Sequence, residues 1–546
     1  MSAISDKKGA QLPAAVLDFV FDLHDVTRRS HRQEEMKNLY SQTFPDLCNK
    51  YFGSEEWPEA EAISGECDGD LMFLGFYKEL KARHYHTHLR PSLSDKISHW
   101  KIYTDLFDLI LRKDDGLYEG GGGEFHILPE WAFEIMHEFV YQFQGFCQLR
   151  SQLHAKSGSQ TITKQTTENL QILTENKDAW AVETVMYYLS KLIATSNIKE
   201  DNSGKLAPGQ THHLLGYFAA VSLSRLECLL GDYSASVESL SHVDVFSKSE
   251  LFSPLFACKL SIFYHLGISY FVNHRFKDCV KIFQVMCLSI QKGLQTGQLK
   301  KLFGYDQFQK LNEKMITVLA IVYHVCPSIK IEESLVRLIV DKYAEKFAKI
   351  DAAVADPTNT ETTESYEDLL GFCVPKFVSP TCPDYSKKTT KNICNEAYKQ
   401  QIRLIANQIK HYQSLPKLRS YLKLYTSIGV QKLAGFNDVD EDTFLNWLLT
   451  YKNKSLQPEL APRERREKDA GLQSVDELVS GVSNVALSDK KEIINSVIDI
   501  QYYVDQSMMI HVFEEVRERN YDRYFVAQIQ NLEEIYEDVK GININI

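Results

Sequence analysis

The chain has 546 residues, too many for a single core, so several domains or an elongated array are expected. Its 61 basic residues face 73 acidic ones, a net charge of −12. That balance excludes a general attraction to phosphate backbones and leaves only local basic patches for any RNA contact.

The N-terminal MSAISDKKGAQLPAAV carries no apolar signal core and no twin arginine. Helical periodicity begins directly after it. Val16, Phe19, Val20 and Leu23 fall at i, i+3, i+4, i+7 and share one face. Residues 131–150 repeat the pattern with Ile135, Phe139, Phe143 and Phe146. The four glycines at 120–123 and the polar runs 154–168, 200–210 and 353–365 read as loops or linkers. Strand-like alternation is nearly absent before residue 496.

The middle of the chain contains a degenerate repeat. LSRLECLLGDYSASVESL from Leu223 aligns with LGISYFVNHRFKDCVKIF from Leu266 at an offset of 43 residues. Tyr233 then falls on Phe276, Ser236 on Cys279, Val237 on Val280 and Leu240 on Phe283. The second copy fits the tetratricopeptide helix-pair spacing, and a weaker third copy runs from Met315 through IEESLVRLI. One helix pair cannot bury its apolar face alone; stacked pairs can, which predicts a solenoid.

Further on, Leu418, Tyr421, Leu422 and Tyr425 form a helical stripe, Gly429 breaks it, and Val430, Leu433 and Ala434 form a second short helix. Gly435 is expected to end that helix in the left-handed conformation. Asp438 or Asp440 can cap a third helix carrying Phe444, Trp447, Leu448 and Tyr451. Ile498, Ile500, Tyr502 and Val504 then alternate, as do Met508, Ile510 and Val512 after a polar turn, the pattern of a β-hairpin. Three helices and a hairpin are the parts of a winged helix.

The start of the third helix bears Asp438, Asp440, Glu441 and Asp442, which repel phosphate where such a helix would enter a groove. They suit caps and the helix dipole instead. The hairpin's outer edge can pair with another chain's sheet. Phe525, Ile529, Leu532, Tyr536 and Val539 make a heptad seam on a last helix. The expected interface therefore comprises Ile500, Tyr502, Val504, Met508, Ile510, Val512, Phe525, Ile529, Leu532, Tyr536 and Val539.

Catalytic, cofactor and metal sites are not expected. His84, His86 and His88 alternate inside a helical pattern, where i, i+2 side chains diverge. The glycine run lacks the lysine and hydroxyl of a phosphate loop. No G-x-S-x-G, H-E-x-x-H or kinase signature is present. The eleven cysteines contain no C-x-x-C pair and sit singly in apolar stretches, the usage of reduced intracellular thiols. The longest uncharged apolar run, Met315 to Ile329, is shorter than a membrane span and contains Pro327. A soluble cytoplasmic protein without membrane contact is expected.

A helical solenoid leading into a winged helix and a terminal helix resembles the PCI-domain family. WPEAEAI (57–63), FLGFYKELKARH (73–84), EFVYQFQGFCQLR (138–150), LLGYFAAVSLSRLECLLGDY (214–233), PKFVSP (375–380) and LRSYLKLYTSIGVQKLAGF (418–436) are similar to the subunit L family of eukaryotic translation initiation factor three. That resemblance implies a non-catalytic scaffold within a multi-subunit complex, adjoining subunits K and E on the small ribosomal subunit. The residues alone leave open a PCI scaffold of the proteasome lid or signalosome, or a winged helix that binds nucleic acid. The implied fold class is mainly α: an N-terminal helical region (1–205), tetratricopeptide-like repeats (206–410), a winged helix (411–516) with an insertion at 455–496, and a C-terminal helix (517–546). That insertion exceeds the family's usual link; its Arg463, Arg465 and Arg466 alternate with Glu464 and Glu467, so direct RNA contact there is weak.

Overall fold

The computed structural model describes residues 12–29, 32–112, 125–158, 163–196, 198, 211–243, 245–246, 251–297, 305–326, 329–354, 361–385, 387, 389–413, 415–450, 452 and 500–514, with 525, 528, 529, 532, 533, 536 and 540. They fall into two compact units that divide between Tyr412 and Gln413. The chain is mainly α, as the periodicity predicts.

The first unit opens with α1 (Ala14–Thr27) and α2 (Gln33–Asn38), which runs through a π-helical turn at Leu39–Thr43 into α3 (Phe44–Tyr51). The short α4 (Ala60–Ile63) precedes α5 (Leu71–His88) and α6 (Leu93–Arg112), which pack on each other. Asp70 starts α5: its Oδ1 accepts from the N–H groups of Met72 at 3.1 Å and Phe73 at 3.4 Å. Burial raises this carboxyl, but its pairing with Arg28, together with the Phe73 N–H and His24, holds Asp70 below the ordinary carboxylate range.

Next come α7 (Pro129–Lys156), α8 (Lys164–Glu175) and α9 (Val182–Thr195). The stripe on α7 is buried, with Phe139 against Tyr103 (ring centroids 5.3 Å), Phe107 (5.0 Å) and Trp180 (5.5 Å). The polar run 154–168 is less of a loop than expected, since α7 continues to Lys156 and α8 starts at Lys164. Polar residues there act as helix ends: Thr163 Oγ1 accepts from the Thr166 N–H at 3.3 Å. The run 353–365 is likewise helical up to Val354 and from Glu361. The glycines at 120–123 and the run 200–210 lie outside the described residues.

The repeat appears as consecutive helix pairs: α10 (Thr211–Leu230) with α11 (Tyr233–Ser239), α12 (Phe256–Val272) with α13 (Phe276–Gln295), and α14 (Tyr305–Val325) with α15 (Glu333–Val354). Each pair also packs on the next through α10–α12 and α12–α14. The aligned positions Tyr233 and Phe276 open the second helix of their pairs, and Ser236 and Cys279 are both fully buried. Gly267 permits the closest approach within its pair, because a Cβ there would lie 2.2 Å from the Phe283 ring. The unit ends with α16 (Glu361–Cys373), an extended segment, and α17 (Ile393–Gln413). That segment runs along α7, accepting hydrogen bonds at Lys376 O from Gln144 (3.1 Å) and at Pro380 O from Arg150 (3.0 Å).

The second unit begins with α18 (Leu415–Leu424), which buries Leu418 and Leu422. The break after it is a short strand, β1 (Ser427–Gly429), which three residues were too few to announce. Then comes α19 (Val430–Phe436). Gly435 does not end this helix in the left-handed conformation; the helix passes through it, and Asp438 takes that role at φ 53°. Its short polar side chain tolerates the conformation, and the Val439 N–H closes the helix end on Ala434 O at 3.1 Å. Of the two candidate caps, Asp440 directly precedes the next helix (441–450), and its backbone carbonyl accepts from the Phe444 N–H at 2.9 Å. Phe444 and Leu448 are buried; Tyr451 lies outside the described residues.

The hairpin comprises β2 (Ile500–Val504) and β3 (Met509–Glu514). With β1 they form an antiparallel sheet in the order β1-β3-β2. The insertion 455–496, its arginines, and Ile498 are outside the described residues. Among the described residues no helix is long and apolar enough to cross a membrane. None of the eleven cysteines is disulfide-bonded, and all but Cys382 are buried.

Candidate protein-interaction site

The sheet of the second unit has two unlike faces, set by strand alternation. Ile428, Tyr502 and Ile510 point inward and are buried, with Tyr502 Oη donating to Leu448 O at 2.6 Å. Tyr502 and Ile510 thus spend their side chains on the module's own core. Val512 is half-buried, and its N–H donates to Thr426 O at 2.9 Å, extending the β1 pairing. Val504 and Met508 are exposed at the hairpin's tip, Met508 in the left-handed conformation at φ 58°. The side chain of Ile500 and the whole of Val539 lie outside the described residues.

The outward face holds residues that the interface expectation missed. Tyr503 stacks between His511 (4.9 Å) and Phe513 (5.4 Å), and Tyr503 and Phe513 stay 44% and 55% exposed. The signal was in the sequence: Tyr503, His511 and Phe513 at odd positions of the two strands carry rings, whereas a solvated sheet face normally alternates to polar residues. Leu424 and Leu449 add further exposed apolar side chains to this unit. Among the described residues β2 is a sheet edge, and IQYYV carries no charge to guard it.

Phe525, Ile529, Leu532 and Tyr536 are helical, and 59%, 55%, 62% and 67% of their surfaces are exposed. An apolar stripe at this spacing normally faces a core. Here Ile529, Leu532 and Tyr536 are each more than half exposed.

The start of the 441–450 helix presents exposed Asp438, Asp440 and Asp442, a surface that repels polyanions. In the first unit the three alternate histidines separate on α5. His84 stacks on His88 (4.4 Å), while His86 turns to His99 (4.7 Å). Burial pushes His84 down to about 4 and His86 to about 3, so both are neutral. Among the described residues no group of three or more His, Cys, Asp or Glu could hold a metal ion.

Residues 95–532 match the family model described as RNA polymerase I-associated factor PAF67. The chain belongs to this family. It is 30% identical over 518 residues to human eukaryotic translation initiation factor 3 subunit L, covering 92% of this chain and 83% of the human protein. The Xenopus tropicalis subunit L is 30% identical over 523 residues, 93% of this chain and 84% of that protein. The Nematostella vectensis subunit L is 29% identical over 543 residues, 97% and 94% of the two chains. The chain thus also belongs to the family of initiation factor 3 subunit L, a family of initiation-factor subunits.

Proposed function

We propose that the chain is a non-catalytic scaffold subunit of eukaryotic translation initiation factor 3, acting in the cytoplasm. It supports assembly of the pre-initiation complex on the small ribosomal subunit, with subunits K and E as its neighbours. The division at 1–205, 206–410, 411–516 and 517–546 belongs to this reading: helical repeats for docking, then a PCI winged helix and a terminal helix for joining the complex.

The observation that carries it is the open stripe of Ile529, Leu532 and Tyr536, each more than half exposed. Burying such a stripe against a partner helix is a standard mode of protein recognition, and so is pairing with an unguarded strand edge. Val504, Met508 and Phe525 extend the same proposed surface. The acidic start of the 441–450 helix speaks against nucleic acid as the occupant.

Removing residues 497–546 tests the reading. The shortened chain should remain helical by circular dichroism and no longer co-purify with initiation factor 3 subunits. Normal incorporation of the shortened chain would overturn the proposal.

A further inference from the structure

The N-terminal part of the first unit buries a carboxyl group without an adequate counter-charge. Glu79 on α5 is fully buried. Its polar contacts are Arg83 Nη2 at 3.4 Å and Tyr103 Oη at 3.5 Å, both at the long limit of hydrogen bonding. The guanidinium is committed elsewhere. Arg83 Nη1 pairs closely with Glu134 and donates to Tyr40 Oη at 2.6 Å, and Tyr40 in turn donates to Glu134. Glu138 lies one turn further along α7, where Gln142 donates to it at 3.2 Å. The Trp131 indole N–H lies close enough to favour the Glu79 carboxylate slightly, yet completes no hydrogen bond.

The π-helical turn (Tyr40), α5 (Glu79, Arg83), α6 (Tyr103) and α7 (Glu134, Glu138) therefore meet with the Arg83 guanidinium shared between Glu79 and Glu134, while Glu138 also feels the buried Arg225 of α10. A buried carboxylate without a partner is costly enough that the group keeps its proton instead.

We propose that Glu79 is a proton-linked latch: with its proton it leaves Arg83 to Glu134 and Tyr40, and on losing it competes for that single guanidinium and loosens the seam between the π turn, α5 and α7. Burial, with Glu134 and Glu138 adding to it and Arg83 opposing, raises Glu79 to about 7. Glu138 is raised chiefly by burial as well. An acid raised in the folded state brings no penalty below its ordinary value of 4.5. The penalty grows as pH climbs from there to about 7 and is constant above. The seam is thus tightest on the acid side of neutrality.

The full chain and its Glu79→Gln variant should be compared from about pH 5 to pH 8 by hydrogen exchange in the Tyr40 segment and by thermal unfolding. The variant mimics the protonated group. Its advantage in the opening equilibrium should grow with pH, by at most about tenfold per unit, and level off near neutrality. An advantage equal at both ends of the range overturns the latch. Glu134→Gln frees the guanidinium for Glu79, so the loosening between about pH 5 and pH 8 should become smaller and level off at lower pH; a loosening that is unchanged or larger also overturns it. The infrared absorption of protonated carboxyl groups just below neutrality should be weaker in Glu79→Gln than in the wild-type chain, where Glu138 and Glu227 also contribute, and equal absorption in the two counts against the latch in the same way.

Discussion

Along α7, Ile135, Phe139, Phe143 and Phe146 follow helical spacing and are at most 2% exposed, whereas Ile529, Leu532 and Tyr536 follow similar spacing with more than half of each surface open. The two stripes look alike in sequence. What separates them is the cover: α7 meets Trp100, Tyr103 and Phe107 of α6 together with Trp180, while the late stripe meets none of comparable extent among the described residues. Apolar periodicity says that a face will be buried, not by which chain. The α7 stripe is covered from within its own unit; under the proposed function the late stripe is covered by a partner.

The sharpest way to break that comparison is to hollow out the covered stripe. Phe139→Ala removes a fully buried ring that touches four aromatic neighbours. It should cost about 3–5 kcal/mol in chemical denaturation of the full chain, through lost burial and the cavity left behind. A loss below about 1 kcal/mol would mean that α7 is not the core element it resembles.

A smaller effect tests the helix pairs. Gly267→Ala places a methyl 2.2 Å from the Phe283 ring, inside a fully buried contact. Alanine alone would favour the helix by about 1 kcal/mol over glycine. The variant should nonetheless be destabilised, by about 1–2 kcal/mol, because overpacking outweighs propensity. A stabilised variant in thermal denaturation would show that α12 and α13 part readily, and that the close approach is not what fixes the pair.

How much of this was legible in the sequence follows from the range of each interaction. The repeat was readable because its requirements are local: a small residue at Gly267 and a large one at Phe283 recur at fixed spacing within one pair. The hairpin was readable because alternation at Tyr502, Val504 and Ile510 marks a strand on its own. Strand β1 was not, since three residues give no period, and its existence depends on pairing Ser427 with His511 far along the chain. The left-handed helix end was assigned to Gly435 by composition, yet loop closure placed it on Asp438. The Glu79 cluster was invisible for the same reason, as Tyr40, Arg83 and Glu134 meet only when the lobe has folded. At the proposed interface, even positions of the hairpin drew attention first, and two of them turned out to serve the core. The outward ring column of Tyr503, His511 and Phe513 is equally plain in the sequence once both strand faces are read.

The smallest expected effect is the one that separates the two stripes most cleanly. Ile529→Gln and Leu532→Gln together exchange two exposed apolar side chains for a residue of good helix propensity. In the isolated chain the pair should shift stability by no more than about 0.5 kcal/mol, because no buried contact is lost. The same double substitution should strongly reduce co-purification with initiation factor 3 subunits, because under the proposed function these positions are buried only in the complex. A large loss of stability in the isolated chain would mean that the stripe is covered internally after all. Unchanged stability with unchanged co-purification would mean that it is a solvated surface and that assembly runs through the sheet edge or the repeats. Phe139→Ala and this pair thus form one experiment: the same loss of apolar surface from a helix stripe, read as instability in one place and as lost partnership in the other.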